Sequence, residues 1–199
     1  IFASSLWISN EVANALIREL ARVTGGDEAQ LSLKDQTVQF KDFVIWRQRQ
    51  DLSGAYNEQT EYWKSWERQY NGEIPVLQLP VDSPRPPVRD FRGGSFHFDM
   101  PAEPLKQLAA QEGTTLYMVL LSMYYLFLAK ISGNDTIVTG TAVAGRKHAD
   151  LEQVIGMFVN TLALSAAVDL REPFERFLRD VTRDTLEAFD NQDYLFEDL

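Results

Sequence analysis

The sequence predicts a mixed α/β domain, because segments with the apolar spacing of helices alternate with short β-branched segments. Residues 10–23 show the helical spacing, with apolar side chains three or four positions apart, whereas residues 136–142 are rich in Thr, Ile and Val. The chain has 199 residues, of which 45% are hydrophobic. It is therefore long enough to bury the core of one domain or of two small lobes.

Three helices are predicted in the first 70 residues, at 10–23, 38–49 and 53–70. The third carries an aromatic stripe that consists of Tyr56, Thr60, Trp63 and Tyr70. We interpret this stripe as core packing, which is the usual role of aromatic residues at helical spacing.

Residues 71–93 are predicted to be irregular, because prolines recur through the segment and proline disrupts a helix. These prolines are Pro75, Pro80, Pro84, Pro86 and Pro87. Residues 95–99 come next, and Phe96 and Phe98 alternate there with polar residues. This period of two predicts a strand.

Three further helices are predicted at 101–111, 114–131 and 173–189, and two strands at 136–142 and 159–168. The segment 116–129 carries no charge, so we expect a fully buried central helix there. It is shorter than the roughly 20 apolar residues that a bilayer requires, and a membrane span is rejected. The last helix is amphipathic, with an inward face predicted to consist of Phe174, Phe177, Val181 and Leu186.

Composition excludes several classes of function. The chain has 29 acidic and 19 basic residues, so its net charge of −10 argues against binding to nucleic acid or to an anionic membrane surface. It has no cysteine, which excludes disulfides and thiolate-ligated metals, and its only histidines are His97 and His148. We therefore expect no metal site. The sequence shows no export signal, so a cytoplasmic location is expected.

Two polar segments are candidates for function. Asn160 lies at the entry to an apolar strand, and a buried asparagine without hydrogen-bond partners costs roughly 1–3 kcal/mol. It is therefore either a structural bracket or a group directed into a cavity. Asn191, Gln192, Asp193 and Tyr194 form a dense polar cluster after the last helix, suited to capping and turn formation.

Three ordered segments resemble the motifs of one family, the condensation domain of nonribosomal peptide synthetases. Residues 40–46 (Phe-Lys-Asp-Phe-Val-Ile-Trp) look like its Tyr-x-Asp-Tyr/Phe-Ala-Val-Trp motif. Residues 155–161 (Ile-Gly-Met-Phe-Val-Asn-Thr) match its Ile/Val-Gly-x-Phe-Val-Asn-Thr motif in full. Residues 191–197 (Asn-Gln-Asp-Tyr-Leu-Phe-Glu) are similar to His/Asn-Gln-Asp-Tyr-Pro-Phe-Glu, with Leu195 where proline is usual. The resemblance covers about residues 15–199.

The resemblance implies a chloramphenicol-acetyltransferase-like fold of two αβ lobes in a V, of which this chain looks like the C-terminal lobe. Residues 1–70 would then be a helical linker region from the lobe junction, residues 71–93 a proline-rich connection, and residues 94–199 the αβ core. Both ends look cut, and an N-terminal lobe is expected as the missing partner.

The family forms an amide bond between an acyl or peptidyl thioester and an aminoacyl thioester. Both substrates are carried on the phosphopantetheine arms of upstream and downstream carrier proteins, so no cofactor is expected to bind to this chain itself. The resemblance implies a tunnel-facing role for Asn160, and for Trp46 a role as a core anchor or as part of the catalytic site. Its mainly structural motif residues would be Asp42, Gly156, Phe158, Asn191, Gln192 and Asp193.

The family's catalytic motif, His-His-x-x-x-Asp-Gly, would fall on residues 4–10, where Ser4 and Ser5 replace the histidines and Ser9 and Asn10 replace the Asp-Gly pair. A serine hydroxyl cannot replace an imidazole at neutral pH. We therefore expect the isolated chain to be inactive. The alternative is an inactive condensation-like module that docks a carrier protein or recruits a partner enzyme. An esterifying or epimerising relative is disfavoured, because the 155–161 segment follows the condensation pattern.

Overall fold

The protein is represented by a computed structural model that describes residues 38–84, 87–88, 93–152 and 154–199. The predicted helix at 10–23 and the segment from Ser4 to Asn10 lie outside these ranges. Within them, the elements in chain order are α1 (Phe40–Ser53), α2 (Asn57–Arg68), α3 (Glu103–Gln111), α4 (Leu116–Ser132), β1 (Thr136–Val143), β2 (Asn160–Ala167) and α5 (Phe174–Asp190). Short 3-10 turns lie at Ala149–Leu151 and Phe196–Asp198. The mixed α/β prediction is confirmed, and these helices and strands lie close to their predicted positions.

Helices α1 and α2 are separated by a glycine turn. Gly54 ends α1 in the left-handed region, with φ of 76°, where glycine avoids the strain that a side chain would impose. Because of this stop, α2 begins only at Asn57 and is shorter than predicted. The predicted aromatic stripe is confirmed at Trp63, which is buried together with Trp66. Their indole rings meet edge to face at 5.9 Å.

Helix α4 is not buried on all sides, and that prediction was wrong. Its N-terminus is capped by the Thr115 hydroxyl, which accepts from the backbone amide of Met118 at 3.3 Å. One face, which includes Val119 and Tyr125, is buried where α4 packs against α3 and α5. The opposite face consists of exposed Tyr117, Leu120, Met123, Tyr124, Phe127 and Ile131. A helix is covered only where it contacts a neighbour, so an uncharged sequence does not by itself bury every face.

Two other predictions were wrong. Residues 95–99 are not a strand, and Phe96 and Phe98 are 86% and 70% exposed. Alternation alone does not make a strand, because a strand also needs a hydrogen-bonded partner, and none lies beside this segment in the described part of the chain. In α5, Leu186 is exposed. The helical period instead buries Phe177, Val181, Thr185 and Ala188.

The chain forms two compact units. Among the described residues, the first unit comprises those within 38–66, 141–162 and 191–199, and the second comprises those within 67–140 and 163–190. Strands β1 and β2 pair in a two-stranded sheet. The core of the second unit includes a cluster of Ala109, Val119 and Leu178, against which Leu105, Leu108 and Phe174 pack.

The core of the first unit brings the middle of the chain against α1. Leu151, Val154 and Phe158 form its buried cluster, and Val38, Phe40 and Phe43 pack against it. This contact places two of the motif segments side by side. It therefore determines where the candidate site forms.

Among the described helices, no single one is long and apolar enough to cross a membrane. Helices α3 and α4 satisfy the length and composition test only as a pair, and the chain bends by 103° between them.

Candidate functional site

The three motif segments surround one cavity of the first unit, which has a volume of about 340 Å³. Helix α1, the loop of residues 144–159 and the turn of residues 191–195 each supply part of its wall. We call the last two the central loop and the motif turn. The lining residues used below are Phe43, Trp46, Arg47, Tyr56, Gly145, Lys147, His148, Phe158, Asn160, Gln192 and Asp193.

Helix α1 presents Phe43, Trp46 and Arg47 to the cavity. Trp46 is 39% exposed, and its ring meets the edge of the His148 ring with centroids 5.6 Å apart. It is therefore a wall residue and not a buried core anchor. Asp42 lies outside the cavity wall and accepts a hydrogen bond from the backbone amide of Gln39 at 2.9 Å. This contact satisfies an amide at the helix N-terminus.

The central loop is organised by Arg146. The guanidinium donates to the carbonyl oxygens of Leu151, Val154 (2.8 Å) and Gly156 (3.3 Å). The same group lies over the Phe158 ring, 4.1 Å from its centroid. A single side chain thereby holds main-chain groups spread over several residues, and it fixes the course of the loop along the cavity.

Two glycines allow this loop to pack closely. Gly145 has a φ of 65°, and a Cβ at this position would collide with the backbone carbonyl of Phe158. At Gly156 a Cβ would collide with the ring of Phe40. The Phe158 ring then packs against the rings of Phe40 and Phe43, with centroid separations of 5.1 Å and 4.7 Å.

Asn160 uses its amide to hold the motif turn. Its Nδ2 donates to the carbonyl oxygens of Gln192 at 3.0 Å and Tyr194 at 2.5 Å. Its Oδ1 accepts from the backbone amides of Thr161 at 2.9 Å and Phe196 at 3.4 Å. Both amide protons and both lone pairs are thus engaged, which makes Asn160 a structural bracket at the cavity wall.

Asp193 connects the motif turn to three other segments of the first unit. Its Oδ2 accepts from Gln59 Nε2 at 3.0 Å and from Lys147 Nζ at 2.6 Å. Its backbone amide donates to Gln59 Oε1 at 2.9 Å, and its carbonyl oxygen accepts from the Arg47 guanidinium. Helices α1 and α2 and the central loop therefore all converge on this one residue.

The rest of the motif turn is also held through its main chain. The indole Nε1 of Trp63 donates to the carbonyl oxygen of Asn191 at 2.8 Å. Asn160 donates to the carbonyl oxygen of Gln192, and Gln192 contributes to the cavity wall. Leu195, which stands where the family motif has proline, lies at the wall as well.

A second cavity of about 300 Å³ is lined by Arg47 and Tyr56 among other residues. The Arg47 guanidinium lies 4.4 Å from the centroid of the Tyr56 ring, and its Nε lies 3.5 Å from the Asp51 carboxylate. Burial raises the pKa of the Tyr56 hydroxyl, although the positive charge of Arg47 acts in the opposite direction. The Tyr56 hydroxyl therefore carries no charge at physiological pH.

The site suits binding and alignment of a substrate. Arg47 and Lys147 bring positive charge to a cavity whose only carboxylate in the described wall is Asp193. No cluster of three or more potential metal ligands occurs in the described ranges. Ser4, Ser5, Ser9 and Asn10, the predicted positions of the catalytic motif, lie outside those ranges.

No functional role was predicted from the sequence for Gln59, Arg47, Lys147 or Arg146, although they make principal polar contacts of the site. Gln59 and Asp193 are separated by 134 positions, and no local pattern signals a pairing at that distance. Arg47 directly follows the motif segment 40–46, which was the one available clue to its location.

A family model described as "Condensation domain" matches residues 13–199 of this chain. Gramicidin S synthase 2 of Aneurinibacillus migulanus is 44% identical over 196 residues, which is 96% of this chain and 4% of that protein. Tyrocidine synthase 3 of Brevibacillus parabrevis is 43% identical over 198 residues, or 96% of this chain and 3% of that protein. The chain thus spans only a small fraction of the curated relatives that it matches.

Solved structures share the fold. The X-domain in its complex with OxyB from teicoplanin biosynthesis has a TM-score of 0.79 and 22% identity, and the match covers 98% of this chain and 44% of that one. The condensation domain of the Monacolin K polyketide synthase MokA has a TM-score of 0.74 and 20% identity, with coverage of 96% and 44%. The predicted chloramphenicol-acetyltransferase-like α/β fold is thereby confirmed.

Proposed function

The chain belongs to the condensation-domain family, and from this premise we propose that it is the C-terminal lobe of a domain that forms peptide bonds in a nonribosomal peptide synthetase. In this proposal the substrates are an acyl or peptidyl thioester and an aminoacyl thioester. Each is carried on the phosphopantetheine arm of a carrier protein, and the chain binds no cofactor of its own.

The observation that supports the proposal is the convergence of the three motif segments on one cavity. Trp46 from the first, Asn160 from the second and Asp193 from the third all contribute to its wall, although they are far apart in sequence. Such convergence is expected of segments that serve one site. Most of the hydrogen bonds that hold the wall are half-buried, so the cavity is preorganised for a ligand.

The proposed reaction balances without a metal or a redox partner. The amine nitrogen of the aminoacyl group attacks the thioester carbonyl carbon, so that a C–N bond forms and the C–S bond breaks. The proton lost by the amine is taken up by the leaving thiolate. This proton transfer requires a positioned base, which in the family is a histidine.

We propose that this histidine is not supplied by the isolated chain. The two histidines in the sequence are His97, which is exposed, and His148, whose ring lies edge-on to Trp46. Neither belongs to a His-His-x-x-x-Asp-Gly segment. The isolated chain, given two loaded carrier proteins, is therefore expected to form no dipeptidyl thioester.

Two chimeras with tyrocidine synthase 3 test this proposal. In the first, residues 13–199 replace the matching region of that protein, and its own preceding segment is retained. In the second, residues 1–199 are transferred, so that Ser4 and Ser5 occupy the histidine positions. Tyrocidine formation is measured by mass spectrometry, with the unmodified synthase as the control.

We expect product from the first chimera and none from the second. Product from both would show that the serine segment does not abolish catalysis. A folded first chimera that binds its carrier proteins but forms no product would contradict the proposed activity and favour the docking module. Restoring the two histidines in the second chimera should recover product formation.

A further inference from the structure

We propose that Gln59 is a positioning residue that acts through Asp193 to hold the Lys147 ammonium in the cavity wall. Gln59 lies on α2, outside the three motif segments, and it does not itself line the main cavity. Asp193 and Lys147 both do. The inference rests on the proposed function, because it assigns these residues a role in substrate binding.

The contacts between Gln59 and Asp193 fix the carboxylate in one orientation. Gln59 Nε2 donates to Oδ2 at 3.0 Å, and Gln59 Oε1 accepts from the Asp193 backbone amide at 2.9 Å. Two antiparallel hydrogen bonds between the same two residues constrain both the backbone and the side chain of Asp193. A single hydrogen bond would leave the carboxylate free to rotate about its χ angles.

The orientation matters because the same oxygen holds Lys147. Nζ of Lys147 lies 2.6 Å from Asp193 Oδ2, and the two side chains are 39% and 22% exposed. A lysine has four rotatable bonds, so a partly exposed ammonium has no fixed position without such a partner. The other charged group against Asp193 is Arg47, whose guanidinium donates to the main-chain carbonyl and leaves the carboxylate to Gln59 and Lys147. The Tyr56 hydroxyl also faces Asp193. Burial raises the pKa of Tyr56, and the negative charge of Asp193 raises it further, so this hydroxyl is neutral.

Loss of the contacts between Gln59 and Asp193 should therefore release the Lys147 ammonium without unfolding α2. Gln59→Leu keeps the approximate size and helical propensity of the side chain but removes both hydrogen bonds. Asp193→Asn removes the charge that holds the ammonium. The matched control is Gln107→Leu, the same substitution at an exposed helical position of the second unit.

The first measurement is the rate of acetylation of each lysine by sulfo-N-hydroxysuccinimide acetate, followed by peptide mass spectrometry in the full-length protein. We expect Gln59→Leu to raise the rate at Lys147 about fivefold, since one charge-assisted contact is lost. Lys64, on the same helix as Gln59, is expected to keep its rate and reports on local unfolding. An unchanged rate at Lys147, or an equal rise at both lysines, would overturn the inference.

The second measurement separates positioning from simple stability. Gln59→Leu and Asp193→Asn should each raise the rate at Lys147, and the double variant should show no further rise, because both act through one contact. If the two substitutions multiplied each other's effect on the acetylation rate of Lys147, Gln59 would not act through Asp193.

The third measurement concerns the condensation reaction of the first chimera, in which residues 13–199 stand in tyrocidine synthase 3, with its loaded donor carrier domain. We expect Gln59→Leu to raise KM about fivefold while kcat changes by less than about twofold, because Lys147 binds and does not react. A fall in kcat at constant KM would overturn this role. If the first chimera without further substitutions forms no amide, the proposed function fails, whereas the acetylation results still decide whether Gln59 and Asp193 position Lys147.

Discussion

The motif turn of the first unit and the apolar core of the second unit are stabilised in different ways. In the second unit, Leu178 and Val119 are completely buried in an apolar cluster where α3, α4 and α5 pack together. In the first unit, the motif turn is held by hydrogen bonds: Asn160 and Trp63 donate to main-chain carbonyls, and Gln59 accepts from the backbone amide of Asp193. Apolar packing tolerates substitutions that preserve volume, whereas a hydrogen bond to a carbonyl requires one donor in one place.

This difference accounts for the location of the family motifs. The residues that the family motifs specify, such as Asn160 and Gly156, lie in the first unit, where hydrogen-bond positions and close packing permit few residue types. Helix α4 in the second unit matches no motif quoted for the family, because many apolar sequences can form such a helix. Substitutions that disrupt one kind of contact at a time can test this contrast.

The largest effect is expected from Leu178→Ala in the apolar cluster. Leu178 is 0% exposed, so the substitution removes buried methyl groups and leaves a cavity that costs about 3 kcal/mol of unfolding free energy. Urea denaturation measures the loss. Leu186→Ala on the same helix is the control, because Leu186 is 50% exposed and its truncation should cost less than about 1 kcal/mol. Equal losses at the two positions would contradict the assigned core.

The next effect is expected from Gly145→Ala in the central loop. The new Cβ would collide with the carbonyl of Phe158 at a φ of 65°, which should cost about 2–3 kcal/mol. Gly133→Ala is a matched control, since Gly133 has a φ of 73° but open space around its Cβ position. It should lose only about 1 kcal/mol, the conformational penalty alone. Similar losses at both glycines, measured by urea denaturation, would show that Gly145 is not constrained by packing.

A smaller effect should appear at high pH, at Tyr125 in the second unit. Burial raises the pKa of Tyr125 from 10.0 to about 12, although its hydroxyl accepts a hydrogen bond from Thr139 at 3.3 Å. Below pH 10 the hydroxyl is neutral in both states, so its contribution to stability is complete. Between pH 10 and 12 the unfolded chain loses this proton and the folded chain keeps it, so stability falls as pH rises.

The loss attributable to Tyr125 is roughly 2 kcal/mol by pH 12. Urea denaturation of the wild type and of Tyr125→Phe at several pH values measures it, because lysine titration affects both proteins alike. We expect the difference in unfolding free energy between the two proteins to shift in favour of Tyr125→Phe as pH rises from 10 to 12. A difference that stays constant over this range would show that Tyr125 ionises normally.

The sequence alone was sufficient for the fold class, for most helix and strand positions and for the family. Apolar spacing located α5, and Gly133 marks the end of α4 where the sequence changes from helix to turn. The motif at 155–161 indicated which family to expect. These features depend on local propensity and on short-range patterns, which are fully present in the chain order.

Only the tertiary structure decided which faces are covered and which polar groups meet. Phe96 and Phe98 follow a strand pattern yet lack a partner strand in the described ranges, and α4 has an exposed apolar face. The choice for Asn160 between bracket and cavity group was resolved by the positions of two carbonyls more than 30 residues away. Burial and long-range hydrogen bonding depend on which distant segments come together, and a local sequence pattern does not show which segments these are.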